Sequence, residues 1–146
     1  MAARNPETFP EKLRALIRRA GLRATPSRVA VLELLHHALR PISHAETVGA
    51  LTGQAWDRAT IYRNLRDFVR VGLVRKTELG DRVWRFELAA AAHSSRDHPH
   101  FVCTECGQVL CLPDVEVSLP PQGGQPQALR EHQYELQIRG YCDNCR

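Results

Sequence analysis

Two Cys-x-x-Cys pairs constrain what this chain of 146 residues can fold into more than any other feature of its sequence. Cys103 and Cys106, followed by Gly107, form the first pair, and Cys142 and Cys145 form the second. Together they supply four thiolates at the spacing of a tetrahedral Zn²⁺ site, and a site closed by four sulfur ligands is structural because it keeps no open coordination position. The sequence therefore predicts one structural zinc ion per chain, held by the C-terminal part.

Paired cysteines have two other common uses, as disulfides and as redox thiols. No secretory signal is recognisable at the N-terminus, so we expect a cytoplasmic, reducing compartment, which disfavours disulfides. A thioredoxin-type pair would need a βαβ context, which the sequence around these cysteines does not predict. The closed zinc site is the favoured interpretation.

Composition narrows the class of protein further. Lys and Arg number 20 against 16 Asp and Glu, which gives a net charge of +4 and a pI of about 9.0. This balance permits nucleic acid as a partner without proving it. No apolar run approaches the length of a transmembrane helix, so we expect no membrane segment. Cys111 remains after the two pairs are formed, and a free cysteine often is a small buried apolar residue.

The first half of the sequence predicts four short helices. An apolar stripe at helical spacing over residues 11–20 ends at Gly21, and a fourth helix ends at Gly72. The second, third and fourth helices begin at capping signals, which are Thr25-Pro26, Ser43-x-x-Glu46 and Asp57 respectively.

The fourth predicted helix has one apolar and one basic face. Ile61, Leu65, Phe68 and Val69 would face a core. A solvated surface is the simplest interpretation of the basic face. Arginine, however, suits phosphates and guanine edges, and a recognition helix reads bases with its N-terminal residues. The residues of this face are Arg58, Thr60, Tyr62, Arg63, Arg66 and Arg70.

Residues 73–88 predict a two-stranded hairpin with a turn at Gly80-Asp81. Short helices followed by a hairpin indicate a winged helix-turn-helix, so residues 1–88 are expected to form a DNA-binding domain. Four alanines and a polar run then predict a hinge or linker over 89–99.

Residues 100–146 predict a small α/β dimerisation domain, which makes the chain an α+β protein. Strands are expected at 101–102, 109–110, 115–119 and 134–138, mostly antiparallel. A homodimer would cover the exposed edge of such a sheet.

The two cysteine pairs and the winged helix together resemble the ferric uptake regulator (Fur) superfamily. Its members are homodimeric, metal-dependent repressors that bind double-stranded DNA operators. The resemblance implies that Tyr62 and Arg63 lie on the DNA-reading helix and that Arg23 reaches the minor groove. The matching segments are residues 21–25, Ala59-Thr60-Ile61-Tyr62-Arg63, 72–74, 86–88, His98-x-His100-Phe101-Val102-Cys103-x-x-Cys106-Gly107 and Gly140-Tyr141-Cys142-x-x-Cys145.

The resemblance also implies a regulatory metal site between the two domains. Its ligands carry over to Glu87, His98, His100 and Cys111, a mixed O/N/S set that suits Zn²⁺. His93 and His132 are rival ligands. Because Pro99 stands where the family usually has an acidic ligand, we expect one regulatory site and not two.

The function implied is a zinc-responsive repressor of metal-homeostasis genes without a small-molecule substrate. An iron- or peroxide-responsive regulator, with Fe²⁺ or Mn²⁺ as the second ion, is one alternative. A constitutive DNA-binding protein with structural zinc only is another. His44-Ala45-Glu46 followed by a cysteine pair also resembles a zinc deaminase pattern. The second cysteine pair stays unexplained in that reading, so we expect no enzyme.

Overall fold

The computed structural model describes residues 8–89, 99–112, 114–120, 123–131, 134 and 136–146. Its contacts divide the chain into two compact units, Met1–His93 and Ser94–Arg146. Within the described residues, no helix is both long and apolar enough to cross a lipid bilayer.

The described residues of the first unit form four helices and three strands. They are α1 (Phe9–Arg19), α2 (Pro26–His37), β1 (Ile42–Ser43), α3 (His44–Ala50), α4 (Arg58–Arg70), β2 (Val74–Glu78) and β3 (Trp84–Leu88). The strands form an antiparallel sheet in the order β1-β3-β2. This arrangement confirms the predicted winged helix-turn-helix, and its core side chains come from all four helices and the sheet.

Local capping explains where these helices begin. Thr25 accepts a hydrogen bond from the backbone N–H of Arg28, and Ser43 accepts one from that of Glu46, as the sequence predicts. Helix α1 begins two residues earlier than expected. The reason is Thr8, whose backbone N–H donates to the Glu11 carboxylate at 2.8 Å and closes a further capping interaction.

The end of α4 is set by a glycine. Gly72 has φ of 77°, the left-handed region, and its N–H donates to the Val69 carbonyl. The next N–H, that of Leu73, donates to the Phe68 carbonyl at 3.0 Å. These two bonds are the Schellman pattern, which turns the chain from α4 directly into β2.

The sequence did not predict strand β1. Ile42 pairs with Phe86 and Ser43 with Arg85, which makes β1 the outer neighbour of β3. Two residues carry too little alternation to be recognised as a strand, and their pairing depends on residues more than forty positions away in the sequence.

In the second unit, the part of the chain that the structure describes forms three strands and one short helix. They are β4 (His100–Cys103), β5 (Val109–Cys111), α5 (Gln127–Arg130) and β6 (Gln137–Gly140), with the sheet order β5-β4-β6. Helix α5 is a single turn. Strand β6 is shorter than the predicted 134–138 and begins later.

Two expectations for this unit are wrong. Residues 115–119 form no strand; their alternating apolar side chains are exposed, and none has a neighbouring strand to pair with among the described residues. The sheet is also mixed and not mostly antiparallel, because β6 runs parallel to β4. The parallel pairing has a structural consequence. Strands β4 and β6 finish at the same end of the sheet, with Cys103 opposite Gly140, so both cysteine pairs begin there.

Candidate metal centres and nucleic-acid interface

The structure brings the four paired cysteines of the second unit together. Their four Sγ atoms all lie within 4.8 Å of one another, and those of Cys106 and Cys142 are 3.7 Å apart. A tetrahedron with Zn–S bonds of about 2.3 Å has sulfur atoms roughly 3.8 Å apart. The cluster therefore has the donor set and the size that a structural zinc ion requires.

Backbone geometry around each pair holds the sulfurs in place. Tight turns follow both first cysteines, with Gly107 N–H donating to the Cys103 carbonyl and Cys145 N–H to the Cys142 carbonyl, each at 3.0 Å. The turn at Gly107 needs its φ of 72°, which glycine adopts without strain. The N–H of Cys142 also donates to Cys103 Sγ at 3.4 Å, which couples the two pairs directly.

These contacts change the acidity of the thiols in opposite directions. Hydrogen bonds from the backbone N–H groups of Cys106 and then Cys142 lower the pKa of Cys103 to about 6. Hydrogen bonding with the thiols of Cys142 and then Cys106 raises the pKa of Cys145 to about 12. Crowded sulfurs cannot all be thiolates unless a cation lies among them, which is the condition that Zn²⁺ satisfies.

A second pair of potential ligands lies across strands β4 and β5. His100 pairs with Cys111 in the register, and a ring nitrogen of His100 lies within 4.8 Å of Cys111 Sγ. The bonds from Leu112 N–H to the Pro99 carbonyl and from Cys103 N–H to the Gln108 carbonyl flank this position. His100 and Cys111 are thus a non-hydrogen-bonded pair, the type whose side chains approach most closely.

The environment of this pair is sheltered. His100 is 2% exposed and Cys111 is half-buried, and the neighbouring residues on the same face of the sheet, Val102 and Val109, are buried. A buried imidazole and a half-buried thiol held side by side form an N/S donor pair. Such a pair suits Zn²⁺ and is less suited to ions that prefer oxygen ligands.

The remaining residues predicted for the regulatory site are Glu87, His98 and the rivals His93 and His132. Glu87 lies on β3 of the first unit, opposite Arg75, whose Nε is 3.5 Å from Glu87 Oε1. His93, His98 and His132 lie outside the described residues.

The predicted DNA-contacting side chains lie on the first two turns of α4, apart from Arg23. Arg58, Tyr62 and Arg63 are exposed, and Thr60 is half-buried. Asp57 caps the helix by accepting from the backbone N–H of Thr60 at 2.7 Å. Hydrogen bonds from the side chain and then the backbone of Thr60 lower the pKa of Asp57.

Arg23 is exposed in the segment before α2, and sequence reasoning missed what holds it there. Its carbonyl accepts a hydrogen bond from Arg28 Nη1 at 2.9 Å, while Arg28 Nη2 lies 2.7 Å from Asp67 of α4. A buried bond from Asn64 Nδ2 to Ser27 Oγ, 3.1 Å long, joins the same two helices. Arg28 and Asp67 are 39 positions apart, so no local signal in the sequence could have paired them.

Comparison with known proteins is consistent with this geometry. Residues 19–137 match the sequence pattern of the ferric uptake regulator family. The chain belongs to this family. It is accordingly a transcription regulator that binds DNA and metal, as the resemblance implies, and its relatives are regulators and not enzymes.

Individual relatives support the assignment. The chain is 30% identical over 140 residues to the peroxide-responsive repressor PerR of Staphylococcus aureus strain Mu50, covering 90% of this chain and 87% of that protein. It is 30% identical over 136 residues to the peroxide operon regulator of Bacillus subtilis strain 168, covering 88% of each. The crystal structure of the Vibrio cholerae ferric uptake regulator matches with a TM-score of 0.64 and 25% identity, covering 88% of this chain and 98% of that one.

Proposed function

We propose that this member of the ferric uptake regulator family is a cytoplasmic, homodimeric, zinc-responsive repressor of metal-homeostasis genes. The observation that carries the proposal is the side-by-side placement of His100 and Cys111 in a sheltered position. A thiol at this position favours a soft or borderline ion over one that prefers oxygen ligands.

Two metal sites with different roles follow from the two ligand sets. Cys103, Cys106, Cys142 and Cys145 would hold a permanent structural zinc ion that stabilises the second unit. His100 and Cys111, joined by Glu87 and His98, would hold the exchangeable ion. When bound, this ion supplies a positive centre that can be shared by a carboxylate, an imidazole and a thiolate. His93 and His132 are further candidates for that set.

The regulatory step depends on where these ligands stand in the sequence. Glu87 ends the wing of the DNA-binding unit, whereas His100 and Cys111 belong to the second unit. Ligation by residues on both sides of the segment 89–99 would restrict that segment. The restriction favours DNA binding only if the closed arrangement binds the ion more tightly than the open one.

DNA contact is assigned to the exposed beginning of α4 and to the segment before α2. In a dimer, two copies of α4 would enter successive major grooves of an operator. The residues proposed to contact DNA are Arg23, Arg58, Thr60, Tyr62 and Arg63.

Peroxide sensing with a bound Fe²⁺ is the second candidate, because two relatives at 30% identity are peroxide regulators. Cys111 weighs against it, since iron sites of that kind prefer nitrogen and oxygen ligands. The choice between zinc and iron can therefore be tested at this residue.

The deciding experiment measures DNA affinity by fluorescence anisotropy, using a duplex selected from random sequence by the zinc-loaded protein. Mild chelation first removes the exchangeable ion and leaves the four-cysteine site loaded. Adding Zn²⁺ should tighten binding by at least about tenfold, a usual size of coupling between two sites. The Cys111→Ala variant, which keeps the four-cysteine site, should lose this response. Equal affinities with and without Zn²⁺, or a response to Fe²⁺ that peroxide abolishes, would contradict the proposal.

A further inference from the structure

His44 is a residue to which the proposed function assigns no role. It is the first residue of α3 and follows Ser43, which pairs with Arg85 of β3. His44 therefore follows the last residue of β1 directly.

Two contacts join His44 to the beginning of α4. Its Nε2 lies 2.9 Å from the carbonyl oxygen of Arg58, and because a carbonyl only accepts, Nε2 carries the proton and donates. Its ring centroid lies 5.6 Å from that of Tyr62, with the ring planes at 78°, an edge-to-face arrangement. One imidazole therefore contacts the backbone at the start of the helix and a side chain one turn later.

Both contacts affect Tyr62, one through the backbone and one through its ring. In an α-helix the carbonyl of residue i accepts from the N–H of residue i+4, so the Arg58 carbonyl is the helical partner of the Tyr62 N–H. His44 thus holds the backbone acceptor on which Tyr62 depends and packs against the ring of Tyr62. The Tyr62 side chain is otherwise open to solvent, with 48% of its surface exposed.

An exposed tyrosine without such a neighbour would distribute over several side-chain rotamers. An edge-to-face contact favours one arrangement by roughly two- to tenfold. Binding that needs this arrangement loses affinity in proportion when the contact is removed, because only the competent fraction binds.

We propose that His44 is a positioning residue for DNA recognition, which holds the Tyr62 ring in the orientation that contacts the operator. The inference rests on the proposed role of Tyr62 in DNA binding. This role also lets α3, the first helix of the helix-turn-helix, influence sequence preference through Tyr62 of α4.

Direct contact between His44 and a DNA phosphate is the competing explanation. A phosphate contact would add to affinity for any duplex and would steepen the salt dependence of binding. A positioning role would change the preference for the operator over other sequences and leave the salt dependence unaltered. The two explanations therefore differ in measurable ways.

The experiment uses the full-length, zinc-loaded protein and two duplexes, the selected operator and a scrambled sequence of equal length. His44→Ala should weaken operator binding about two- to tenfold and leave scrambled binding unchanged. His44→Phe keeps a ring against Tyr62 and should restore most of the loss. In a Tyr62→Ala background, His44→Ala should have no further effect. His37→Ala, at an exposed histidine of α2 that packs near Phe9, is the matched control and should bind as wild type does.

Several results would overturn the proposal. Equal losses on both duplexes with a shallower salt slope would show a phosphate contact, as would an undiminished effect of His44→Ala in the Tyr62→Ala background. A melting temperature that falls with His44→Ala and an affinity loss that His44→Phe does not restore would show a merely structural role. If Tyr62→Ala binds the operator as wild type does, the assigned DNA contact fails and the positioning role fails with it. If Tyr62→Ala weakens binding and His44→Ala does not, only the positioning role fails.

Discussion

Removing the carboxylate of Asp67 should destabilise the DNA-binding unit more than removing any exposed ion pair. Asp67 lies 2.7 Å from Arg28, and Arg70 and Arg66 stand 3.6 and 3.8 Å from its other oxygen. The side chains of Arg28 and Asp67 are only 17% and 15% exposed. Asp67→Ala therefore leaves the Arg28 charge sheltered from water and without its acidic partner.

The magnitude follows from this degree of burial. Exposed pairs contribute about 0–1 kcal/mol, whereas breaking a fully buried pair costs about 3–5 kcal/mol. A pair at the observed exposure should cost about 2 kcal/mol when broken, which lowers the melting temperature of a unit of this size by roughly 10 °C. Part of the loss should return in Asp67→Ala/Arg28→Met, which no longer contains a buried lone charge.

The assay is thermal unfolding of the zinc-loaded chain by circular dichroism. Arg40→Met is the matched control, because it breaks the Arg40–Glu46 pair, whose side chains are 42% and 40% exposed. We expect the control to shift the melting temperature by no more than a few degrees and to lose that shift in about 0.5 M NaCl, where exposed charges are screened. Equal shifts for Asp67→Ala and Arg40→Met would refute the reasoning from burial.

Three further changes have defined outcomes. Asp57→Ala removes the cap of α4 and should lower both the melting temperature and operator affinity, whereas Asp57→Asn should retain the cap. Because the pKa of Asp57 is depressed in the folded protein, its stabilising contribution is complete above its ordinary pKa near 3.8. This contribution should be lost as the pH falls through the lower folded pKa. Acid titration of the stability of Asp57→Asn against that of wild type would show the loss. Gly72→Ala forces a side chain into a left-handed conformation and should cost about 1 kcal/mol in denaturant unfolding, while Gly49→Ala within α3, which meets open space, should not destabilise. Cys142→Ser should abolish structural zinc binding, measured by metal analysis, and with it the folding of the second unit but not of the first.

The parts of the fold that local chemistry determines were predictable. The caps at Thr25, Ser43 and Asp57 and the stop at Gly72 each depend on residues within a few positions, and each helix forms where its signal predicts. The cysteine spacing was equally informative, because a Cys-x-x-Cys turn presents two sulfurs to one point whatever surrounds it.

Features that depend on distant residues were not predictable. The alternation of Val115, Val117 and Leu119 satisfies a strand pattern, yet a strand also needs a neighbour, and none of the described strands pairs with this segment. The parallel direction of β6, which brings the two cysteine pairs to the same end of the sheet, is likewise not expressed by alternation.

The candidate sites also contain some residues that local sequence identifies and others whose roles depend on distant residues. The cysteine cluster and the exposed face of α4 could be identified from spacing and periodicity. The contacts that hold that face, His44 with Arg58 and Arg28 with Asp67, join residues 14 and 39 positions apart and needed the structure.

Zinc-responsive regulation by this chain requires two distinct zinc sites, one closed by four cysteines and one that includes Cys111. Native mass spectrometry of the zinc-loaded protein counts the ions per chain directly. We predict two ions for wild type and one for Cys111→Ala, with the four-cysteine site still filled. Two ions in both proteins, or one in both, would contradict the assignment of Cys111 to a regulatory site.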